Sequence, residues 1–448
     1  MNPPFCHAVL MGGLYLAVGF LSFAPAKNQQ AVAQREPDKF YAAVAERPGK
    51  VINVRDFGAK GDARSDDTKP IQAAIDAAAK GATIKFPAGD YSVANLVVKN
   101  RNGLSFEGEG RSSVIRQRAG AERIGTFDGS SDIVITRLGF DANGIASYGG
   151  LVFYAMNRVR IEGTWFWDGA PKAVQGTDRY SIVFGKGGAP SQNIRIINNV
   201  IDDLQLEVDH SKHVVIDRNV VTRAVKTAGI GIFTVGDNAI AEDYQITNNT
   251  VVDPIGAGIS VGIDPPTNSD CLFRRIAIVG NQVIRTKTAG YGVRIGTPDN
   301  SKPTRGNRFE NIEIKNNRFR IEATAPPAEG AIFANASAKA AILFKGLTVS
   351  GNRIENEGPP AKEFAIELRR LQNSFVVDNI IKRFANGMAL GGALLSNEVR
   401  NNVVEASEVA YVIEDSLGGN KLFNNRIVGR PRTAWKLADL QATDTVEE

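Results

Sequence analysis

NNVID at 198–202 returns along the chain as RNVVT at 218–222, NNTVVD at 248–253, GNQVIR at 280–285, NNRFRI at 316–321, GNRIEN at 351–356, DNIIKR at 378–383, NNVVEA at 401–406 and NNRIVG at 424–429. The second residue is always asparagine: Asn199, Asn219, Asn249, Asn281, Asn317, Asn352, Asn379, Asn402 and Asn425, spaced 20 to 36 residues apart. A fixed motif at variable spacing marks a solenoid with insertions, because one such unit cannot bury its apolar face until neighbours stack on it. The residues before each motif alternate as strands do. Ile194 and Ile196 share a face in NIRIINN, Val214 and Ile216 in HVVIDRN, and Ile312 and Ile314 in NIEIKNN. Short strands at this period without helical runs predict an all-β fold, a parallel β-helix rather than alternating βαβ units or a leucine-rich horseshoe. SSDIVITRLGFDANG and MNRVRIEGTWFWDGA, before Asn199, fit the same plan less regularly.

The repeated asparagine has a structural reading. Asparagine tolerates the left-handed conformation that a bend between sheets demands. Stacked coils would also set one asparagine over the next at about 4.8 Å, where side-chain amides form ladders.

Outward from the repeat, the chain divides into four stretches. Residues 1–33 read as a signal peptide or N-terminal anchor: Ala8 to Phe23 is an apolar run of 16 followed by small residues at 24–26 and 31–33. That run is short for a membrane span, and the absence of Lys or Arg before it keeps the anchor reading open. Residues 34–50 read as a linker, 51–440 as the β-helix and 441–448 as a polar tail. The expected location is secreted or periplasmic, with membrane contact only through an uncleaved leader. Cys6 lies in the leader, which leaves Cys271 as a single thiol and excludes an internal disulfide or a cysteine-built zinc site. The net charge of +5 suits an acidic partner, and without a Lys/Arg run or a binding motif nucleic acid is not expected.

A helix is readable near the start of the β-helix region. Asp66 and Asp67 precede Thr68, and Ile71, Ala74, Ile75 and Ala78 recur at helical spacing from Pro70 to near Gly81. It reads as an N-terminal cap on the solenoid, whose exposed end would otherwise invite edge pairing. The stretch Asn53-Val54-Arg55-Asp56-Phe57-Gly58-Ala59-Lys60-Gly61-Asp62, followed by Asp66-Asp67-Thr68 and Ile71-Gln72-Ala73-Ala74-Ile75-Asp76, closely resembles the opening of pectate-lyase-like proteins. Phe86 to Tyr91 and Leu104 to Gly108 continue the likeness. The resemblance implies a single-stranded right-handed parallel β-helix. It also implies a superfamily of polysaccharide lyases, polygalacturonase-type hydrolases, mannuronan epimerases and phage tailspikes, in which monomers and homotrimers both occur. The acidic residues of the motif read as structural, and fold does not fix function.

Active sites in such folds are expected on an outer sheet face. With Leu206, Val208, Ile230, Ile232, Ile259, Val261, Val293, Ile295, Ile332, Ala334, Ile366 and Leu368 inward, the outward column carries Glu207, Phe233, Ser260, Arg294, Phe333 and Glu367. A one-residue slip would invert it. The densest ionisable cluster runs from Asp202 to His213. His210 or His213 would serve as base, with Glu207 and Asp209 beside them, while Arg294 would grip a substrate carboxylate. Asp202, Asp203, Glu207 and Asp209 would hold Ca²⁺, which takes several oxygens. The competing reading of the cluster is a solvated turn. Asp209-His210-Ser211 is faintly similar to the mannuronan epimerase signature but lacks its Asp-Pro-His order. The chain also lacks the Gly-His-Gly of polygalacturonases, and Arg294-Ile295-Gly296 lacks their lysine. Trp165, Trp167, Lys172, Tyr180, Phe233 and Phe333 are candidates for sugar contact, with Tyr180 as a general acid; the tryptophans would otherwise fill an early coil. The expectation is a polysaccharide lyase acting by β-elimination on an acidic polysaccharide. A carboxylate-pair hydrolase, a C5-epimerase and a non-catalytic glycan-binding β-helix are the alternatives.

Overall fold

The computed structural model describes residues 49–447 apart from 145–149, 169–178, 186–188, 265–267, 297–305, 323–324, 326–328, 336–342, 360 and 362. The leader and nearly all of the linker lie outside the described residues, as does Lys172.

Each coil lays down three short strands, one on each of three faces. Ser191–Ile197 lies on the first face, Val200–Asp202 on the second and Gln205–Val208 on the third, and Ser211–Asp217 then returns to the first. Every strand pairs in parallel with its equivalent in the next coil, which makes a right-handed parallel β-helix. Because the register is kept, like stacks on like in the core. Ile196, Ile216, Ile246, Ile278, Ile314, Val349, Val376, Val399 and Leu422 form one buried column. Phe127, Phe153 and Phe184 form another, with ring centroids 4.7 and 4.4 Å apart.

The corner from the first face to the second is a two-residue turn in every coil from 198 to 425, and two residues share the work there. The first adopts the left-handed conformation: Asn198, Arg218, Asn248, Gly280, Asn316, Gly351, Asp378, Asn401 and Asn424 all have positive φ. The second is the repeated asparagine, which is not left-handed but forms the ladder. Asn249, for instance, donates from its backbone N and from Nδ2 to Asn281 Oδ1, at 2.9 Å each, and from Nδ2 to Ile216 O. The sequence reading gave both jobs to one residue; the structure divides them. Thr164 heads this ladder by donating to Asn199 Oδ1.

Helix α1 (Thr68–Ala77) buries Ile71, Ala74 and Ile75. Its first turn is capped by Asp66, whose Oδ1 accepts from Thr68 N at 3.0 Å. Buried Asp67 instead accepts from Lys60 N and Gly61 N, at 2.6 and 3.0 Å, and holds the turn before it. Arg101 meets the orphan carbonyls at the other end, including Ile75 O at 3.0 Å.

At the other end of the molecule the sheet runs further than the sequence suggested. Thr445–Val446 pairs with Lys421–Phe423, and Asp444 Oδ1 accepts from Asn420 N at 2.9 Å. Asp444 thus closes a second, shorter ladder of Ser374, Asn397 and Asn420.

Candidate functional site

Corner lengths single out one face. The first-to-second corner allows no insertion in the coils of the ladder, whereas the third face has long connections along both edges. Residues 168–179, 223–227, 253–256, 286–290, 322–329 and 357–363 precede its strands. Residues 185–190, 235–239, 264–271, 297–307 and 336–342 follow them. Loops on a rigid scaffold are where binding residues collect, so the third face is the candidate site.

Seven strands of that face are β1 (Tyr180–Phe184), β2 (Gln205–Val208), β3 (Ala228–Thr234), β4 (Ala257–Ile263), β5 (Tyr291–Gly296), β6 (Gly330–Asn335) and β7 (Phe364–Arg369). The inward residues named from the sequence are all buried. The outward column reads Val183, Glu207, Gly231, Ser260, Arg294, Phe333 and Glu367. Phe233 is therefore misplaced by the sequence alignment: Gly231 occupies its position, and Phe233 lies in the next column with Gly262 and Gly296. The cause is steric. A Cβ on Gly231 would lie 2.5 Å from the Phe233 ring, which fills the space that the glycine leaves.

At the N-terminal part of this face a polar cluster has formed. Tyr180, Glu207 and Asp209 are buried. Gln205 is fixed by Ala228 N, which donates to its Oε1 at 3.0 Å, and its Nε2 donates to Glu207. Lys226, from the connection before β3, hydrogen-bonds the Tyr180 hydroxyl and lies 4.3 Å from the centroid of that ring. Buried Arg179, next to Tyr180, pairs with Asp168, which follows the second-face strand Trp165–Trp167. Asp168 Oδ1 also accepts from Gly144 N at 2.6 Å. Sequence reasoning missed Lys226 and Gln205, because the contacts of Lys226 with Tyr180 span 46 residues.

The remaining candidates do not converge on this cluster. Asp209 is turned to the backbone, where Oδ1 accepts from Phe233 N at 2.9 Å. His210, at the corner between third and first faces, has φ 39° and accepts from Ile240 N at Nδ1, 3.2 Å away. Its lone pair is thereby used, and the neutral ring carries its proton on Nε2. Burial, with a contribution from Lys212, also holds His210 below the ordinary histidine range. It is set up to donate a hydrogen bond, not to act as the base expected from sequence. His213 is on the first face, exposed, with Nδ1 3.2 Å from Asp243. A period-2 reading could not show that the chain turns a corner between the two histidines.

The four carboxylates proposed for Ca²⁺ are likewise divided. Asp202 lies on the second face and Asp203 at its corner, and Arg223 engages both, with Nε 2.9 Å from Asp203. Thr222 also donates to Asp202, whose carboxyl burial nonetheless pushes above its usual range. Glu207 and Asp209 belong to the third face and its edge. Among the described residues no group of three or more His, Cys, Asp or Glu is placed to hold a metal ion, and this donor set does not fit Ca²⁺.

Trp165 and Trp167 point outward on the second face, half-buried. Arg111 lies 5.5 Å from the Trp165 ring, and Trp167 stands between Asp141 and Asp202. Farther along the third face, Phe333 packs on Tyr291 with centroids 4.6 Å apart, next to Arg294. A separate cleft of about 640 Å³, lined in part by Glu357, Arg383, Glu405 and Arg430, takes in none of the sequence candidates.

Comparison with known proteins places this geometry among others. A family model described as rhamnogalacturonase A/epimerase, pectate lyase-like, matches residues 51–272. Over 43 residues, 9% of this chain and 5% of the relative, it is 63% identical to Alginate lyase 7 of Azotobacter vinelandii. Over 44 residues, 9% of this chain and 2% of the relative, it is 64% identical to Mannuronan C5-epimerase AlgE3 of the same organism. The matched stretch is thus a few per cent of the length of these curated relatives. Among solved structures, the Streptococcus pneumoniae surface protein and adhesin PfbA aligns with TM-score 0.58 and 18% identity, over 89% of this chain and 100% of that one. The A-module of Azotobacter vinelandii Mannuronan C-5 epimerase AlgE4 aligns with TM-score 0.54 and 20% identity, over 88% and 100%. At these identities the structural likeness is one of fold.

Proposed function

The chain belongs to the pectate-lyase-like superfamily of right-handed parallel β-helices, and from that premise we propose that it is an enzyme that modifies an acidic polysaccharide, by β-elimination at a uronate unit. The observation that carries this reading is the Tyr180–Lys226 pair on the third face, in which Tyr180 is wholly buried and Lys226 is part-exposed. Elimination removes the proton from the carbon bearing the carboxyl group and returns a proton to the departing glycosidic oxygen. The Tyr180 phenolate, stabilised by the ammonium group against it, would take the proton from that carbon, and the phenol so formed would give it to the departing oxygen. Gln205, fixed on two sides, holds Glu207 one strand away. A hydrolase would need two carboxyl groups facing one bond. Asp209 faces the Phe233 backbone, and Asp202 and Asp203 face Arg223, which sets elimination ahead of hydrolysis. Epimerisation at the same carbon would use the same pair, the proton returning to carbon instead of oxygen. The apolar run Ala8 to Phe23 supports a place of action outside the cytoplasm.

The test is to incubate protein lacking residues 1–33 with a panel of acidic and neutral polysaccharides, following ultraviolet absorbance of unsaturated uronate ends, reducing ends and uronate composition. Absorbance and reducing ends rising together establish elimination. Reducing ends alone transfer the reading to hydrolysis, and a changed uronate composition at constant length to epimerisation. Binding without any change would leave a glycan-binding β-helix and overturn the enzymatic reading.

A further inference from the structure

Asn425 ends the asparagine ladder. Every earlier member donates its backbone N and Nδ2 to the Oδ1 of the asparagine that follows, as Asn379 does to Asn402 and Asn402 to Asn425. Among the described residues the backbone N of Asn425 has no acceptor, and its Nδ2 has Val399 O alone, at 2.8 Å. The core stops in the same way. The last described coil consists of β8 (Arg426–Val428), β9 (Thr433–Leu437) and β10 (Thr445–Val446), on the second, third and first faces. Ile427, Trp435, Leu437 and Val446 continue the buried columns of Val404, Tyr411, Ile413 and Leu422, yet they are themselves half-buried. Trp435 stacks on Tyr411 with ring centroids 4.2 Å apart. An end of this kind, apolar side chains framed by strand edges, is a template for further strand pairing. Charge on it is segregated. Arg426 and Arg430 bracket β8, whereas Asp444 and Glu447 bracket β10. Exposed Arg426 and Glu447 have no ion pair among the described residues.

We infer that this end is the interface of a two-fold dimer with a second copy of the chain, coil end against coil end. A two-fold axis through the middle of β9 and the opposite, asparagine corner exchanges the first and second faces. It runs β9 antiparallel to its own copy, and β8 antiparallel to the copy of β10. Pairing centred on Trp435 lays that ring against the partner's Trp435 and sets Lys436 opposite the partner's Ala434, so like charges do not meet. The other pair of strands sets Ile427 against the partner's Val446 and Arg426 against the partner's Glu447. One register thus continues the core and joins opposite charges. At the asparagine corner the axis brings Asn424 and Asn425 up to their own copies, and an amide, donor and acceptor at once, is its own complement. The last coil also offers about two dozen residues, within the roughly 20 to 30 per side that a stable interface uses. In such a dimer both third faces lie on one side of a rod.

The experiment is sedimentation equilibrium from about 1 to 100 μM, with small-angle scattering for shape. It uses protein lacking residues 1–33, which leaves the β-helix whole from Val51. The expected result is a monomer–dimer equilibrium whose dimer is about twice as long as the monomer. Arg426→Glu and Glu447→Arg should each weaken the dimer roughly ten- to a hundredfold, because each sets like charges together twice across the axis. The double variant, Arg426→Glu with Glu447→Arg, should associate nearly as the wild type does. Both side chains are exposed and unpaired, so all three variants should melt at the wild-type temperature. A monomer across the whole range, a trimer, growth beyond the dimer, or a dimer that is not elongated would each overturn the interface. So would a dimer indifferent to both single reversals, or one that the double variant fails to recover.

Discussion

Arg285 Nη2 donates to the carbonyl oxygen of Tyr291 at 2.6 Å and, at the same distance, to that of Gly256. Its Nη1 donates to Pro254 O and Thr288 Oγ1, each at 3.0 Å, and to Ala289 O. One buried side chain thus fastens the connections that lead into β4 and β5, the strands carrying Ser260 and Arg294. Burial lowers its pKa to about 10, so it remains a cation at neutral pH, solvated by carbonyl dipoles. Arg285→Met would leave several carbonyls buried without donors and should cost about 3 kcal/mol. Denaturant unfolding checks this, and a change under ~0.5 kcal/mol would show that the cage is dispensable.

The asparagine ladder makes a positional prediction. Asn281→Ala removes the donor to Ile246 O and the acceptor of Asn249 N and Nδ2 in the interior, while Asn317 Oδ1 keeps only the bond from the backbone N of residue 281. Asn425→Ala, at the ladder's end, removes an acceptor for Asn402 and a donor to Val399 O. The first should destabilise by about 3 kcal/mol and the second by about half as much or less. Equal costs, measured by the same unfolding titration, would mean that the ladder does not act as a buried stack.

The ladder also shows what the sequence could and could not disclose. Asn199 to Asn425 fixed the coil boundaries because a two-residue corner admits no insertion, so the motif survived every change in coil length. The inward columns on the third face were legible from alternation alone, since Ile230 and Ile232 or Val293 and Ile295 leave one choice of parity. Phe233 was misassigned by a two-residue slip along β3: it shares its parity with Gly231, so alternation alone does not choose between them. The site was harder. Lys226 meets Tyr180 only because the 223–227 connection folds over the face, and no local pattern encodes that approach. His210 and His213 looked like neighbours, yet a corner lies between them.

His210 gives a pH dependence of definite sign. Its pKa is lowered in the folded protein, so the fold favours the neutral ring that accepts from Ile240 N. As pH falls through about 6.5 the unfolded chain takes up this proton first. The stability due to His210 is therefore complete above that value and is lost as pH drops toward the folded pKa. His210→Asn, which keeps a residue tolerant of positive φ, should flatten the acid limb of the stability profile below about 6.5. An unchanged limb would show that another group sets it.

Removal of divalent cations should change little. Arg223 occupies Asp202 and Asp203, and Asp209 Oδ1 is held by the Phe233 backbone. Melting temperature and turnover in a chelator should match those in millimolar Ca²⁺. A rise of several degrees with Ca²⁺, abolished by Asp202→Asn, would show that Arg223 yields those oxygens to a metal.

The Tyr180–Lys226 pair carries the sharpest expectation. Tyr180→Phe removes the proton-carrying atom and keeps the ring that lies with Val152 and Val183 in a small apolar cluster. Lys226→Met keeps the stem and removes the charge 4.3 Å from the centroid of that ring. If the pair moves the proton, each substitution should lower kcat by about 10²- to 10⁴-fold, with oligouronate affinity and melting temperature close to wild type. The double variant should be little worse than either single one, because residues acting as a unit are not additive. Losses that multiply would separate the two residues into independent roles, and loss of affinity at constant kcat would make Lys226 a substrate contact. Full turnover in Tyr180→Phe would move the chemistry elsewhere on the third face.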